Sequence, residues 1–290
     1  MSRTARASDE NDLSAEAPAF GERRFGHVNW LGVWTLFKKE VMRYLKVAAQ
    51  TVFAPIITTM LYLTVFLVAF GAERDVLMEG ETIPFAAFLP PGLIMMAILN
   101  NAFQNASSSI IIGKVQGSLV DVLMPPLSAA ELTAAFVAGA ATRGLLVGFV
   151  TAVTIAVFMF ATGGPIAVPN LWAVVLFSLS AAVLLGAIGA IAGMWAEKFD
   201  QLALISNFII TPLTFLSGTF YSVRKPGLPE WVADISAINP LFYLIDGFRH
   251  GFIGVSDSNV AWGAVISVGL SGAAVILTYL LFKSGYKLKA

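Results

Sequence analysis

Cysteine is absent from the 290 residues, and histidine occurs only twice, as His27 and His250. The first absence excludes disulfides, thiol catalysis and cysteine-based metal sites, and leaves the compartment open. The histidines fall on opposite sides of the membrane in the topology derived below, which argues against a zinc site. Charge is also scarce, at 12% of residues, against roughly 25% in a soluble domain. There is no Gly-x-x-x-x-Gly-Lys-Ser/Thr loop to cradle ATP phosphates, since Gly113-Lys114 lacks both the upstream glycine and the following hydroxyl. No Gly-x-Ser-x-Gly nucleophile elbow is present either. Residues 1–26 are polar and mixed in charge, without the apolar core of a signal peptide. They are expected to form a disordered cytoplasmic tail, followed by a transmembrane domain over 27–290.

Apolar residues make up 57% of the chain, with mean hydropathy +0.79. A span needs about 20 apolar residues. Six stretches qualify: 51–70, 85–112, 133–160, 171–195, 202–220 and 261–282. In lipid, backbone groups are satisfied only in helices or closed barrels, and the runs lack barrel alternation. The fold class is therefore all-α and polytopic, with six transmembrane helices. Thirteen of the 18 basic residues lie on one side, including Lys38, Lys39, Arg43, Lys114, Lys198 and Lys283. This bias puts both termini in the cytoplasm. The spans hold Arg143 as their only charge. Without intramembrane carboxylates, an ion-coupled carrier is disfavoured.

The segment HVNWLGVWTLFKKEVMRYLK precedes the first span. Trp30, Trp34, Phe37, Val41 and Leu45 share a helical face, and Lys39, Arg43 and Lys46 share another. That pattern describes an amphipathic helix in the membrane interface, with Lys38, Lys39 and Arg43 as its basic residues. In the second span, Pro90-Pro91 either starts the helix or kinks it. Further along, Asn100, Gln104, Ser107 and Ser108 fall on one face, with Asn101 and Asn105 on an adjacent stripe. Amides at this depth need partners or water, so the stripe is a polar path or interhelical glue. Arg143, in the third span, is either a gating or substrate contact or a structural ion pair or snorkelled anchor. Asp121, Glu131 and Glu197 are its candidate partners. Gly186, Gly189 and Gly193 in the fourth span form a close-packing face. Pro212 is expected to kink the fifth span near Asn207 and Thr211. Leu241, Leu244, Ile245, Phe248 and Phe252 mark one of the short amphipathic or re-entrant helices expected on the outer side before the last span.

Four features together resemble a type-2 ATP-binding-cassette exporter permease. They are the KKEVMRYLK helix, the FLPPGLIMM opening of the second span, VDVLMPPLSAAEL followed by ATRGLLVG, and INPLFYLIDGFRHGF before the last span. The match covers Trp30 to Leu288, and it makes 27–290 a permease domain. The resemblance implies that the segment from Lys114 to Leu123, ending at Pro125-Pro126, docks on a separate ATPase. Lys114, Gln116, Asp121, Leu123 and Glu131 would then make the coupling contacts. It further implies a second permease copy, in a homodimer, with membrane lipids around it and no nucleic acid. No cofactor would be bound directly, because ATP and Mg belong to the partner ATPase. The expected function is export across the inner or plasma membrane of an amphipathic cargo: a lipid-linked saccharide, a lipid or a hydrophobic drug. Asn100, Asn101, Gln104, Asn105, Arg143, Asn207 and Thr211 would line the path. The alternatives are an ion-coupled secondary carrier and a non-transporting scaffold or intramembrane enzyme.

Overall fold

The computed structural model describes residues 28–71, 74–78, 80–165, 167–223 and 229–288. The expected tail at 1–26 lies outside the described residues. Helix α1 (Trp30–Leu45) starts where the Asn29 side chain accepts from the Gly32 N–H at 2.9 Å. A π-helical turn (Ala49–Phe53) leads into α2 (Ala54–Phe70), which together make the first span. A hairpin of β1 (Asp75–Met78) and β2 (Glu81–Pro84) joins it to α3 (Phe85–Val115). Because α3 begins at Phe85, Pro90 and Pro91 lie inside it. They remove the bonds that would reach back to the carbonyls of residues 86 and 87. The chain turns at Gly117, whose φ of +70° suits glycine, into the single-turn α4 (Leu119–Leu123).

Three longer elements follow: α5 (Ala129–Thr162), α6 (Leu171–Trp195) and the broken fifth span. That fifth span consists of α7 (Phe199–Ile205), a π-turn (Ser206–Ile210) and α8 (Thr211–Leu216). Two short helices, α9 (Glu230–Ile238) and α10 (Pro240–Ile253), precede the last span, α11 (Val260–Ser284). Six spans long and apolar enough to cross a membrane occur among the described residues. Each overlaps the stretch read from hydropathy.

Burial ranks the spans. Of the most apolar 18-residue stretch, 78% is buried in α3 and 56% in α6, against 11% in the first span and 17% in the fifth. Helices α3 and α6 therefore form the centre. The glycines of α6 allow it: a Cβ at Gly189 would collide with the Phe103 carbonyl, and one at Gly193 would sit 2.9 Å from the Ser107 carbonyl. Gly186 faces α5, 3.0 Å from Ala140 Cβ. The small-residue face is thus a packing face, as expected.

One end of the bundle gathers α1, α4, the α6–α7 turn and the segment after α11. Cross-ties hold it. The Lys287 Nζ donates to Glu197 at 2.8 Å, and the Asn29 N–H donates to Glu131 at 2.6 Å. The opposite end carries the hairpin, α9 and α10. On α10, Leu241, Leu244, Ile245 and Phe248 are buried, but so are Phe242, Asp246, Gly247, Arg249 and Gly251, while Phe252 is half-buried, so the helix is enclosed rather than amphipathic.

Candidate functional site

A cavity of about 890 Å³ opens between the first, second and fifth spans, with Arg143 reaching it from α5. Its volume suits a small-molecule or lipid-headgroup ligand. The α3 wall supplies Asn100, Asn101, Gln104, Ser107 and Ser108. Asn100 and Asn101 each donate to their own helix, to the Met96 and Ala97 carbonyls at 3.0 Å, which keeps their side chains folded against α3. Gln104 is exposed to the opening. From the fifth span come Asn207 and Thr211, and from the first come Gln50, Thr51 and Thr59.

Both flanking spans are wound wide at this level. The π-turn of the first span lies just ahead of Pro55, and that of the fifth just ahead of Pro212. Proline lacks the N–H that would close the preceding turn, and the wider turn reorganises the carbonyls left behind. At the fifth span, the Thr211 hydroxyl takes up the Ser206 carbonyl at 2.9 Å. At Pro212, where a kink was expected, the helix continues through a π-turn.

Towards the hairpin end, the polar wall gives way to rings. Tyr62 and Phe215 line the cavity, and Phe220 lies 4.8 Å from Phe215 and 4.6 Å, stacked, from Phe66 (ring centroids). These contacts join the first span to the end of the fifth with an aromatic cluster.

Not every expected path residue lines the cavity. Asn105 is fully buried, and its carbonyl and side-chain oxygens accept from Arg43 Nη2 at 2.7 and 2.9 Å. Arg43 also donates to Ser108 at 3.2 Å and to Glu40 at 3.2 Å, while Glu40 accepts from the Ser109 hydroxyl at 2.6 Å. Arg43 is thus turned from the expected basic surface into the bundle, and Asn105 ties α1 to α3. Lys38 and Lys39 remain exposed, as do Trp30 and Trp34. Glu40 was not singled out from the sequence. It sits at helical spacing with the buried Leu36 and Tyr44, and a Cβ at Gly139 would lie 2.7 Å from its own Cβ. That spacing was its one visible signal.

The coupling segment divides in the same way. Gln116 and Asp121 are exposed, with Val115, Val120 and Met124 exposed beside them, while Leu119 and Val122 anchor α4 to the bundle. Leu123 is half-buried. Lys114 instead caps the end of α6, donating to the Met194 and Ala196 carbonyls at 2.7 and 2.6 Å. Positive charge suits a helix C-terminus. Glu131 is 5% exposed and forms a capping box with Ser128, so its carboxylate is directed into the chain and not outward to a partner. It does not meet Arg143, which is about 18 Å further along α5. Glu197 pairs with Lys287, whose ammonium lowers the Glu197 pKa from its ordinary value. None of the expected carboxylates pairs with Arg143.

The opposite end holds a second polar network that the sequence reading did not anticipate. Arg249 is fully buried, stacks on Phe88 at 3.8 Å and donates to the Gly218 carbonyl at 2.7 Å. Asp246 accepts from the Asp257 and Ser258 N–H groups at 2.7 and 2.8 Å, and from the Ser258 hydroxyl at 2.6 Å. Burial pushes the Asp246 carboxyl up, and those donors oppose the shift. Asp257 in turn accepts from Ser222 at 2.7 Å, locking the ends of the fifth span and α10 together.

A bundle of six helices long and apolar enough to cross a membrane, around an open polar cavity, defines a multi-pass membrane protein. The chain is a member of the ABC-2 type transporter family, whose pattern it matches over residues 32–253. It is 32% identical over 257 residues to the inner membrane transport permease YadH of Escherichia coli (strain K12), covering 88% of this chain and 94% of that protein. It is 23% identical over 264 residues to nodulation protein J of Rhizobium leguminosarum bv. viciae, covering 88% and 93%. The chain is therefore the membrane subunit of a transport system in the inner membrane. The family implies partnership with an ABC ATPase subunit.

Proposed function

We propose that the chain is the permease half of an ATP-driven exporter that moves an amphipathic substrate out of the cytoplasm or inner leaflet. ATP and Mg would be handled by a separate nucleotide-binding subunit. The observation that carries this reading is the join between cavity and docking surface. The polar wall of the cavity and the exposed patch around Val120, Asp121 and Met124 belong to α3 and to α4, one short turn after it. Movement of an ATPase against α4 is then transmitted along α3 to Asn100, Asn101 and Gln104. Nucleotide shifts the balance of states only through its differential affinity for them.

Asn207 and Thr211 complete the cargo wall from the fifth span. The Phe66–Phe215–Phe220 cluster serves as the closed gate at the far end. A second copy, facing the sparsely covered first and fifth spans, would complete the path as a homodimer. Both termini would lie in the cytoplasm, with Lys38 and Lys39 on anionic lipid headgroups. The test is ATP hydrolysis by the permease co-purified with its ATPase in lipid nanodiscs, with Asp121→Lys and Met124→Asp as the docking variants. A complex that hydrolyses ATP in response to cargo, and loses that response in both variants, supports the reading. Unchanged hydrolysis and binding in both would overturn it.

A further inference from the structure

The cavity carries one formal charge, and no described residue that lines it carries the opposite one. Arg143 is the only Asp, Glu, Lys or Arg among the lining residues. Its Nε is buried without a hydrogen-bond partner, and it forms no ion pair with any described residue. Its electrostatic neighbours are Arg43 and Tyr44, not a carboxylate. Arg43 is itself committed to Glu40 and Asn105. A guanidinium within a span is costly to insert unless it finds partners. A purely structural arginine would recover that through a carboxylate or backbone carbonyls, as Arg249 does with Gly218. Arg143 has neither among the described residues, and it lines the cavity. The side-chain amides of Gln50, Gln104 and Asn207 line the same cavity without partners among the described residues, offering it neutral donors.

We infer that Arg143 anchors a phosphate-type anion on the cargo headgroup. The inference rests on the export reading and narrows its substrate class. Guanidinium is matched to phosphate by its planar fork of donors, and the amides lining the same cavity offer the additional hydrogen bonds that a tetrahedral oxyanion accepts. The cavity therefore favours anionic lipids and phosphate-linked saccharides, and it repels cationic amphiphiles.

The test is a binding titration of the full-length chain in neutral phosphatidylcholine nanodiscs, read by native mass spectrometry without any ATPase. The probes are phosphatidate and diacylglycerol, which share their acyl chains and differ in the phosphate, and inorganic diphosphate alone. Arg143→Gln should lower phosphatidate affinity about tenfold, the loss of one charged hydrogen-bonded contact. Arg143→Lys should stay within a few-fold of the parent, and Lys38→Gln/Lys39→Gln should leave the cavity component unchanged. Diacylglycerol binding, equal in all variants, reports that the chain is folded. Arg143-dependent binding of diphosphate alone would identify a soluble anion, and binding of phosphatidate alone a lipid headgroup; both support the phosphate chemistry. Equal phosphatidate affinity in the Arg143→Gln protein, or loss only in the Lys38/Lys39 variant, overturns the inference. Neither result bears on the export reading, which stands or falls on ATP hydrolysis.

Discussion

Replacing Arg43 by methionine should be among the most damaging single changes at the α1–α3 contact. Glu40 is fully buried, and its carboxylate has two partners among the described residues, Arg43 at 3.2 Å and the Ser109 hydroxyl at 2.6 Å. Arg43→Met leaves that carboxylate with the serine alone. Breaking a buried pair in this way costs about 3–5 kcal/mol. The Arg43 side chain keeps 26% of its surface exposed, so water reaches one side and the lower end, about 3 kcal/mol, applies. Asn105 also loses its donors. Glu40→Gln should cost less, about 1–2 kcal/mol, because the amide oxygen still accepts from Ser109 and Arg43 keeps Asn105 and Ser108. In the double variant no buried carboxylate remains, so its cost should fall below the sum of the singles by about 1–3 kcal/mol. Reversible unfolding in mixed detergent and SDS micelles measures all three against the parent. Strict additivity, with each single variant within about 0.5 kcal/mol of the parent, would refute the account of Glu40 and Arg43 as one buried unit.

Gly189→Ala should destabilise by about 1–3 kcal/mol through overpacking against the Phe103 carbonyl, while Gly269→Ala on α11, with open space around it, should be neutral in the same assay. Arg249→Met should lower the thermal midpoint of the purified chain more than Arg74→Met, because it leaves Asp246 and Asp257 buried without their cation and uncovers the Gly218 carbonyl. The Glu197–Lys287 contact has a pH window. Lys287 lowers the Glu197 pKa from its usual 4.5, so that contribution is present above 4.5 and lost as pH falls through the shifted value. Glu197 raises the Lys287 pKa from its usual 10.5, so the other contribution is present below 10.5 and lost as pH rises through the shifted value. A spin-label distance between the α6–α7 turn and the segment after α11 should therefore stay constant between pH 4.5 and pH 10.5 and widen only further out on either side. Widening near neutrality would contradict the assignment.

The spans were legible in the sequence because hydropathy over 20 residues is a strong, local signal, and a mid-span proline such as Pro212 announces an irregular turn. Facing was harder to read. Periodicity placed Lys39, Arg43 and Lys46 on one stripe of α1, but a stripe has no depth, and Arg43 turned out to reach Asn105 while Lys39 stayed exposed. Glu131 illustrates a signal that was present and assigned elsewhere. Ser128-x-x-Glu131 is a capping-box spacing, and the carboxylate serves the start of α5. Asn100, Asn101, Gln104, Asn207 and Thr211 are all polar residues within spans, and the fold brings them to one cavity. Asn105 shares their chemistry and the stripe of Asn101, but one turn further along α3 it is covered by α1, whose Arg43 takes its oxygens. The Asp246–Asp257–Arg249 ends were unreadable because their burial depends on loops folding back over α10, a non-local event that composition does not record.

The two π-turns flanking the cavity store one surplus residue each. A wide turn of this kind moves along a helix by exchanging hydrogen bonds one at a time, and each residue that it passes is rotated by about 100° around the axis. Migration by a few positions in the fifth span would carry Asn207 off the cavity wall and bring an apolar neighbour such as Phe208 round in its place, while the helix stays hydrogen-bonded throughout. The wall of the compartment could then change from polar to greasy by rotation alone, with no span having to unfold or leave the bilayer.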